Sequence, residues 1–101
     1  MTKKVINGKM YNTSTATFID TYTHKYPSDF EYFNEDLYQK KTGEFFLDGE
    51  GGAASKYAQD GETGGRISGS KMIPLTETEA KTWVEKYADA ELYEELWEVA
   101  E

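Results

Sequence analysis

The last 27 residues of the chain, LTETEAKTWVEKYADAELYEELWEVAE, constrain its fold more than any other stretch. Ala80, Trp83, Val84 and Tyr87 recur at i, i+3, i+4 and i+7, which places them on one face of an α-helix. Thr76 followed by Glu79 is a capping box: the hydroxyl accepts from a free backbone N–H while the Glu reaches back to another. Pro74 keeps the preceding backbone extended, so the spacing predicts a helix starting at Thr76. Leu92, Tyr93, Leu96, Trp97 and Ala100 continue the apolar stripe. Asp89 can cap a second helix, so either a break near Ala88–Asp89 or one bent helix is expected. A helix with one apolar face must bury that face against another layer.

The rest of the chain supplies a sheet. Residues 3–11 (KKVINGKMY) read as a hairpin, because Asn7-Gly8 suits a type I′ turn, which needs positive φ at both positions. Residues 15–23 are β-branched and aromatic and read as a strand. Residues 24–29 form a loop containing Pro27. Residues 30–33 and 37–39 are expected to form one strand interrupted at Asn34-Glu35. Residues 40–43 are a turn, and residues 44–47 the returning strand. Gly49 to Gly52 are then expected to break the sheet, with Gly51 or Gly52 at positive φ. Residues 53–59 read as a short helical turn, residues 60–70 as a mobile Gly- and Ser-rich surface loop, and residues 71–75 as a short strand. The fold class is α+β: a small twisted antiparallel sheet of four or five strands with a C-terminal helical segment on one face. Trp83 and Trp97 are the expected anchors. The chain reads as one domain, 1–101, with 3–75 mainly β and 76–101 helical. The core must be thin and rich in rings, since eight of the aromatic residues are Tyr.

Residue types narrow the chemistry. There is no Cys, which excludes disulfides, thiolate nucleophiles and Cys-ligated zinc and fits a reducing cytoplasm. No apolar run is long enough for a membrane span. Residues 49–54 match G-x-G-x-x-A, but they follow a hairpin rather than opening a βαβ unit, and Glu50 stands where a phosphate would sit; a tight turn with close backbone packing is the better reading. Asp48, Glu50 and Asp60 do not make an EF-hand loop, because the twelfth position is Gln59. His24 is the only His, too few ligands for zinc, and reads as a surface loop residue. Of Phe30, Tyr32 and Phe33, two are expected in the core. Adjacent acids such as Glu35-Asp36 and Glu94-Glu95 have no visible cleft around them, and Asp29 and Glu31 could share a strand face. The chain is therefore expected to be neither an enzyme nor a cofactor- or metal-binding protein.

Charge is the remaining signal. Nine acids stand against Lys81 and Lys86 in residues 75–101, a net of −7 out of −8 for the whole chain. Such a balance argues against direct contact with nucleic acid or an anionic membrane and favours a basic partner. The outward side of the helical segment supplies Glu77, Glu85, Asp89, Glu91, Glu94, Glu95 and Glu98 as candidate partner-binding residues. Asp29, Glu31, Glu35 and Asp36 form a second, weaker acidic group.

Several motifs together resemble a known family: VINGKMYNT at residues 5–13, GEFFL at 43–47, GEGGA at 49–53, SKY at 55–57, IPLT at 73–76, then Glu79-Ala80 and Trp83. The chain is similar, over most of its length, to small acidic proteins carried by phages, plasmids and integrated elements of Gram-positive and gut bacteria. That resemblance implies an anti-CRISPR-type inhibitor that meets the basic surface of a Cas effector or similar host defence protein and blocks its DNA or RNA. The alternative it leaves open is a protein–protein adaptor of a mobile element, without nucleic-acid mimicry.

Overall fold

The computed structural model describes residues 2–99, so Ala100 of the apolar stripe and Glu101 of the acidic run lie outside the described residues. Strand β1 (Lys3–Ile6) returns as β2 (Lys9–Asn12) through Asn7 and Gly8, at φ 51° and 78°. Both angles are positive, as the expected turn requires. The chain continues through β3 (Thr17–His24), β4 (Phe33–Gln39), β5 (Phe45–Gly51), β6 (Gln59–Asp60), β7 (Arg66–Ile67) and β8 (Gly69–Leu75). It ends in α1 (Glu77–Tyr87) and α2 (Ala90–Leu96). The fold is α+β. A four-stranded antiparallel sheet in the order β3-β4-β5-β8 is joined by two small hairpins, β1-β2 and β6-β7. Among the described residues no helix is long and apolar enough to cross a membrane.

Both helix signals act as their chemistry dictates. Thr76 Oγ1 accepts from the Glu79 N–H at 3.1 Å, and Glu79 Oε1 accepts from the Thr76 N–H at 2.8 Å. The break falls at Ala88–Asp89: Ala88 is extended, and Asp89 Oδ1 accepts from the Leu92 N–H at 2.9 Å to start α2. The core between sheet and helices joins Leu37, Phe45 and Leu47 to Ala80, Trp83 and Val84. Trp97 is half-buried rather than central, with its ring 5.3 Å from Phe45 and 5.1 Å from Tyr93.

Several expectations about the sheet are overturned. β4 is continuous through Asn34-Glu35, because Glu35 pairs with Tyr22 on one side and Gly49 on the other. Its polar residues alternate between two differently built faces, so apolar periodicity could not reveal the strand. Gly49 and Gly51 do not break the sheet but lie within β5, and neither Gly51 nor Gly52 has positive φ. They are small because other groups occupy the space: a Cβ on Gly49 would overlap the Tyr57 ring, and one on Gly51 would overlap Ser55 Oγ. Residues 53–58 make turns rather than a helix. The 60–70 segment closes into the short β6-β7 ladder. Phe30 is 74% exposed, while Tyr32 and Phe33 are half-buried, so none of the three is fully in the core.

The second face of the sheet is also partly covered. Tyr11 of the N-terminal hairpin packs on Phe46 and Met72, with Ile6, Ala16 and Tyr38 around them. This explains the unbroken apolar run Phe45-Phe46-Leu47: all three are buried, alternately on the two faces. Gly49→Ala is expected to cost about 1–3 kcal/mol by overpacking against Tyr57, read from the urea midpoint. An unchanged midpoint would mean that the ring does not fill that space.

Candidate functional site

Because α1 turns Ala80, Trp83 and Val84 inward, its acids are left outside. Glu77, Glu79, Glu85, Asp89, Glu91, Glu94, Glu95 and Glu98 are all exposed. Three of them have local tasks. Glu79 closes the capping box, Asp89 caps α2, and Glu77 Oε1 lies 3.3 Å from Lys81 Nζ one turn on. Among the described residues, Glu85, Glu91, Glu94, Glu95 and Glu98 have no ion-pair partner. Glu91 sits in the first turn of α2, where the helix dipole favours a negative charge. The last turn of α2 holds no basic residue, and Glu94 and Glu95 there oppose the dipole, at a cost of about 0.3–1 kcal/mol each. Helix stability does not explain those two.

The second acidic group does not form one surface. Glu35 has no exposure at all. Phe33, Glu35 and Leu37 alternate on one side of β4, and that side faces the helices. The carboxylate is tolerated because three donors converge on it. Tyr57 Oη donates to Oε2 at 2.6 Å, Trp83 Nε1 donates to Oε1 at 3.0 Å, and Lys56 Nζ lies 2.6 Å from Oε2. Lys56 is half-exposed, so one charge of the pair keeps its water while neutralising the other. Among the described residues no buried side-chain nitrogen or oxygen lacks a partner. Burial first, then the hydrogen bond to Glu35, pushes the Tyr57 phenol well above its ordinary value, so it remains a donor. The cluster pins β4, the 52–58 turns and α1 together. A signal for it was present: a buried Trp and Tyr both need an acceptor for their polar tips.

The other three members divide between a loop and the opposite sheet face. Asp29 and Glu31 do not share a strand face. They lie in the turns before β4, where Asp29 Oδ1 accepts from the Glu31 N–H at 2.8 Å and Glu31 pairs with Lys25. Asp36 lies on the sheet face opposite the helices, accepting from Thr21 Oγ1 at 2.7 Å and Asn34 Nδ2 at 3.1 Å. There it joins Asp48, its cross-strand neighbour, and Glu50 in a groove of about 410 Å³ edged by Lys3, Lys4 and Lys71. Burial raises the Asp48 carboxyl above its usual value; a hydrogen bond with Thr2 opposes this, and the charges of Asp36 and Glu50 add to it. The pairing of Asp36 with Asp48 depends on strand register, so the sequence does not bring these two carboxylates together. Among the described residues no group of His, Asp or Glu side chains is arranged to hold a metal ion.

His24 is not a surface loop residue. It ends β3, half-buried, with Nδ1 3.2 Å from Tyr22 Oη and its ring stacked on Phe33 at 4.9 Å. No protein-family model, curated protein or solved structure matches the chain.

Proposed function

We propose that the protein is a non-catalytic inhibitor of the anti-CRISPR type, working in the cytoplasm of a bacterial host. Its helical arm offers carboxylates to the basic surface of a Cas effector or another nucleic-acid-handling protein, and so excludes DNA or RNA. The observation that carries this reading is the set of exposed, unpaired acids Glu85, Glu91, Glu94 and Glu95 on two helices packed against a sheet, with Glu98 just past the end of α2. Carboxylates held on a rigid frame meet Lys and Arg without a large ordering cost, and their field speeds encounter with a basic partner. The resemblance to mobile-element proteins supports the choice of partner.

The test replaces Glu91, Glu94, Glu95 and Glu98 together by Gln. Gln retains size and helix propensity, so circular dichroism should be unchanged. Affinity for purified Cas effectors should fall by roughly tenfold or more, and wild-type binding should weaken as salt rises. A folded variant that binds as tightly as wild type, with little salt effect on either, would sink electrostatic mimicry. The adaptor reading would then gain, and one observation favours it independently: Tyr26 and Phe30, 81% and 74% exposed, share one loop and could anchor a partner through their rings.

A further inference from the structure

Strand β3 is an outer strand of the four-stranded sheet, and among the described residues it pairs only with β4. One row of its backbone N–H and C=O groups therefore points away from the sheet with no ladder to join, the Thr21 N–H being taken up by Asp20 Oδ1. The other outer strand, β8, is guarded. It carries Lys71 and Pro74, and its Gly69 lies against Tyr57 and Gln59. β3 has neither Lys nor Pro, and its one irregularity is a register shift between Phe18 and Asp20. Beyond that shift, residues 20–24 form an unbroken edge, Asp-Thr-Tyr-Thr-His.

That segment is complementary to itself. Antiparallel pairing with a second copy, centred on Tyr22, sets Asp20 opposite His24 at both ends and Thr21 opposite Thr23. The alternation is consistent: Asp20, Tyr22 and His24 face the helices, while Thr21 and Thr23 face the open side with Asp36 and Asn34. Asp20 Oδ1 already accepts from the Thr21 N–H at 2.8 Å, and His24 Nδ1 meets Tyr22 Oη. Pairing would pass the Thr21 N–H from Asp20 Oδ1 to the Thr23 carbonyl of the second copy and turn the freed Asp20 carboxylate toward His24 Nε2 across the pair. The same register sets Tyr22 opposite its own copy at the centre. Opposed acid–imidazole, Thr–Thr and aromatic pairs are the combinations that stabilise an antiparallel ladder.

We infer that residues 20–24 are a homodimer interface, joining two copies edge to edge into one eight-stranded antiparallel sheet about a two-fold axis. The interface is separate from the acidic arm, and its failure would leave the proposed function standing. Each copy carries a net charge of −8, so dimerisation strengthens as salt screens that repulsion.

Sedimentation equilibrium of the full chain, from micromolar to near-millimolar concentration at high salt, should show a monomer–dimer equilibrium. A double variant, Thr21→Lys with Thr23→Lys, sets lysines opposite lysines at exposed positions and should weaken the dimer by roughly tenfold or more. In wild type, amide hydrogen exchange at residues 20–24 should slow as concentration rises, while β8 shows no such dependence. That arm decides the matter even if the double variant folds poorly. A wild-type protein that stays monomeric throughout overturns the inference. So does a dimer that persists in the folded double variant, or concentration-dependent protection located elsewhere.

Discussion

Replacing Glu35 by Ala should destabilise the protein by about 3–5 kcal/mol, because breaking a buried charge cluster strands its remaining partners. The Trp83 indole N–H and the Tyr57 hydroxyl would lose the acceptor that their burial requires. Lys56 would suffer less, since its amine can turn to water. Two further substitutions separate charge from hydrogen bonding. Glu35→Gln keeps an acceptor and the shape, and should cost about 1–3 kcal/mol. Tyr57→Phe removes one donor while Lys56 still serves Oε2, and should cost about 1 kcal/mol. Urea unfolding followed by circular dichroism gives all three values. If Ala costs no more than Tyr57→Phe, the buried carboxylate is not what ties these elements together.

Trp83→Ala should cost a similar amount, about 3–5 kcal/mol, through a cavity between helix and sheet. The side chain is 6% exposed, belongs to the cluster with Leu37, Phe45 and Leu47, and meets Tyr87 edge-on at 5.4 Å. Since a domain of this size holds about 5–15 kcal/mol in all, the variant should be close to unfolding at ordinary temperature. Trp83→Phe fills most of the cavity but supplies no N–H to Glu35. It should fall between wild type and Ala, with about 1–3 kcal/mol lost for the weakened cluster. A thermal midpoint that does not move in Trp83→Ala would show that the helix does not bury this ring. Together the two positions test one claim, that α1 is held to the sheet by apolar packing and by one buried acceptor.

The acidic arm was legible in the sequence because its logic is local. An amphipathic helix fixes which residues face out once its apolar stripe is known, so the stripe alone puts Glu77, Glu85, Glu91, Glu94 and Glu95 outside; Asp89 and Glu98 are exposed too, but Asp89 caps α2 and Glu98 lies past its last residue, Leu96, where the expected helix has already ended. Asp29, Glu31, Glu35 and Asp36 could not be assigned that way. They straddle a loop and a strand whose two faces have different neighbours, so their proximity in sequence scatters them in space. Hydrophobicity alone also reads Glu35 as a surface residue. It is buried because Tyr57, 22 positions away, and Trp83, 48 positions away, bring donors to it.

What the sequence determined by itself were the features closed by neighbouring residues. These are the Asn7-Gly8 turn, the Thr76–Glu79 capping box, the Asp89 cap and the helical stripe, each complete within one or two turns of chain. Tertiary structure alone decided the continuity of β4, the glycines of β5, the burial of Glu35 and the covering of the second sheet face by Tyr11. In each of these the deciding atom comes from a distant element: the Tyr57 ring over Gly49, the Trp83 indole at Glu35, the Tyr11 ring on Phe46. Local propensity sets which backbone shapes are cheap, but whether a polar group can be buried, or a side chain fits, depends on what the folded chain brings against it.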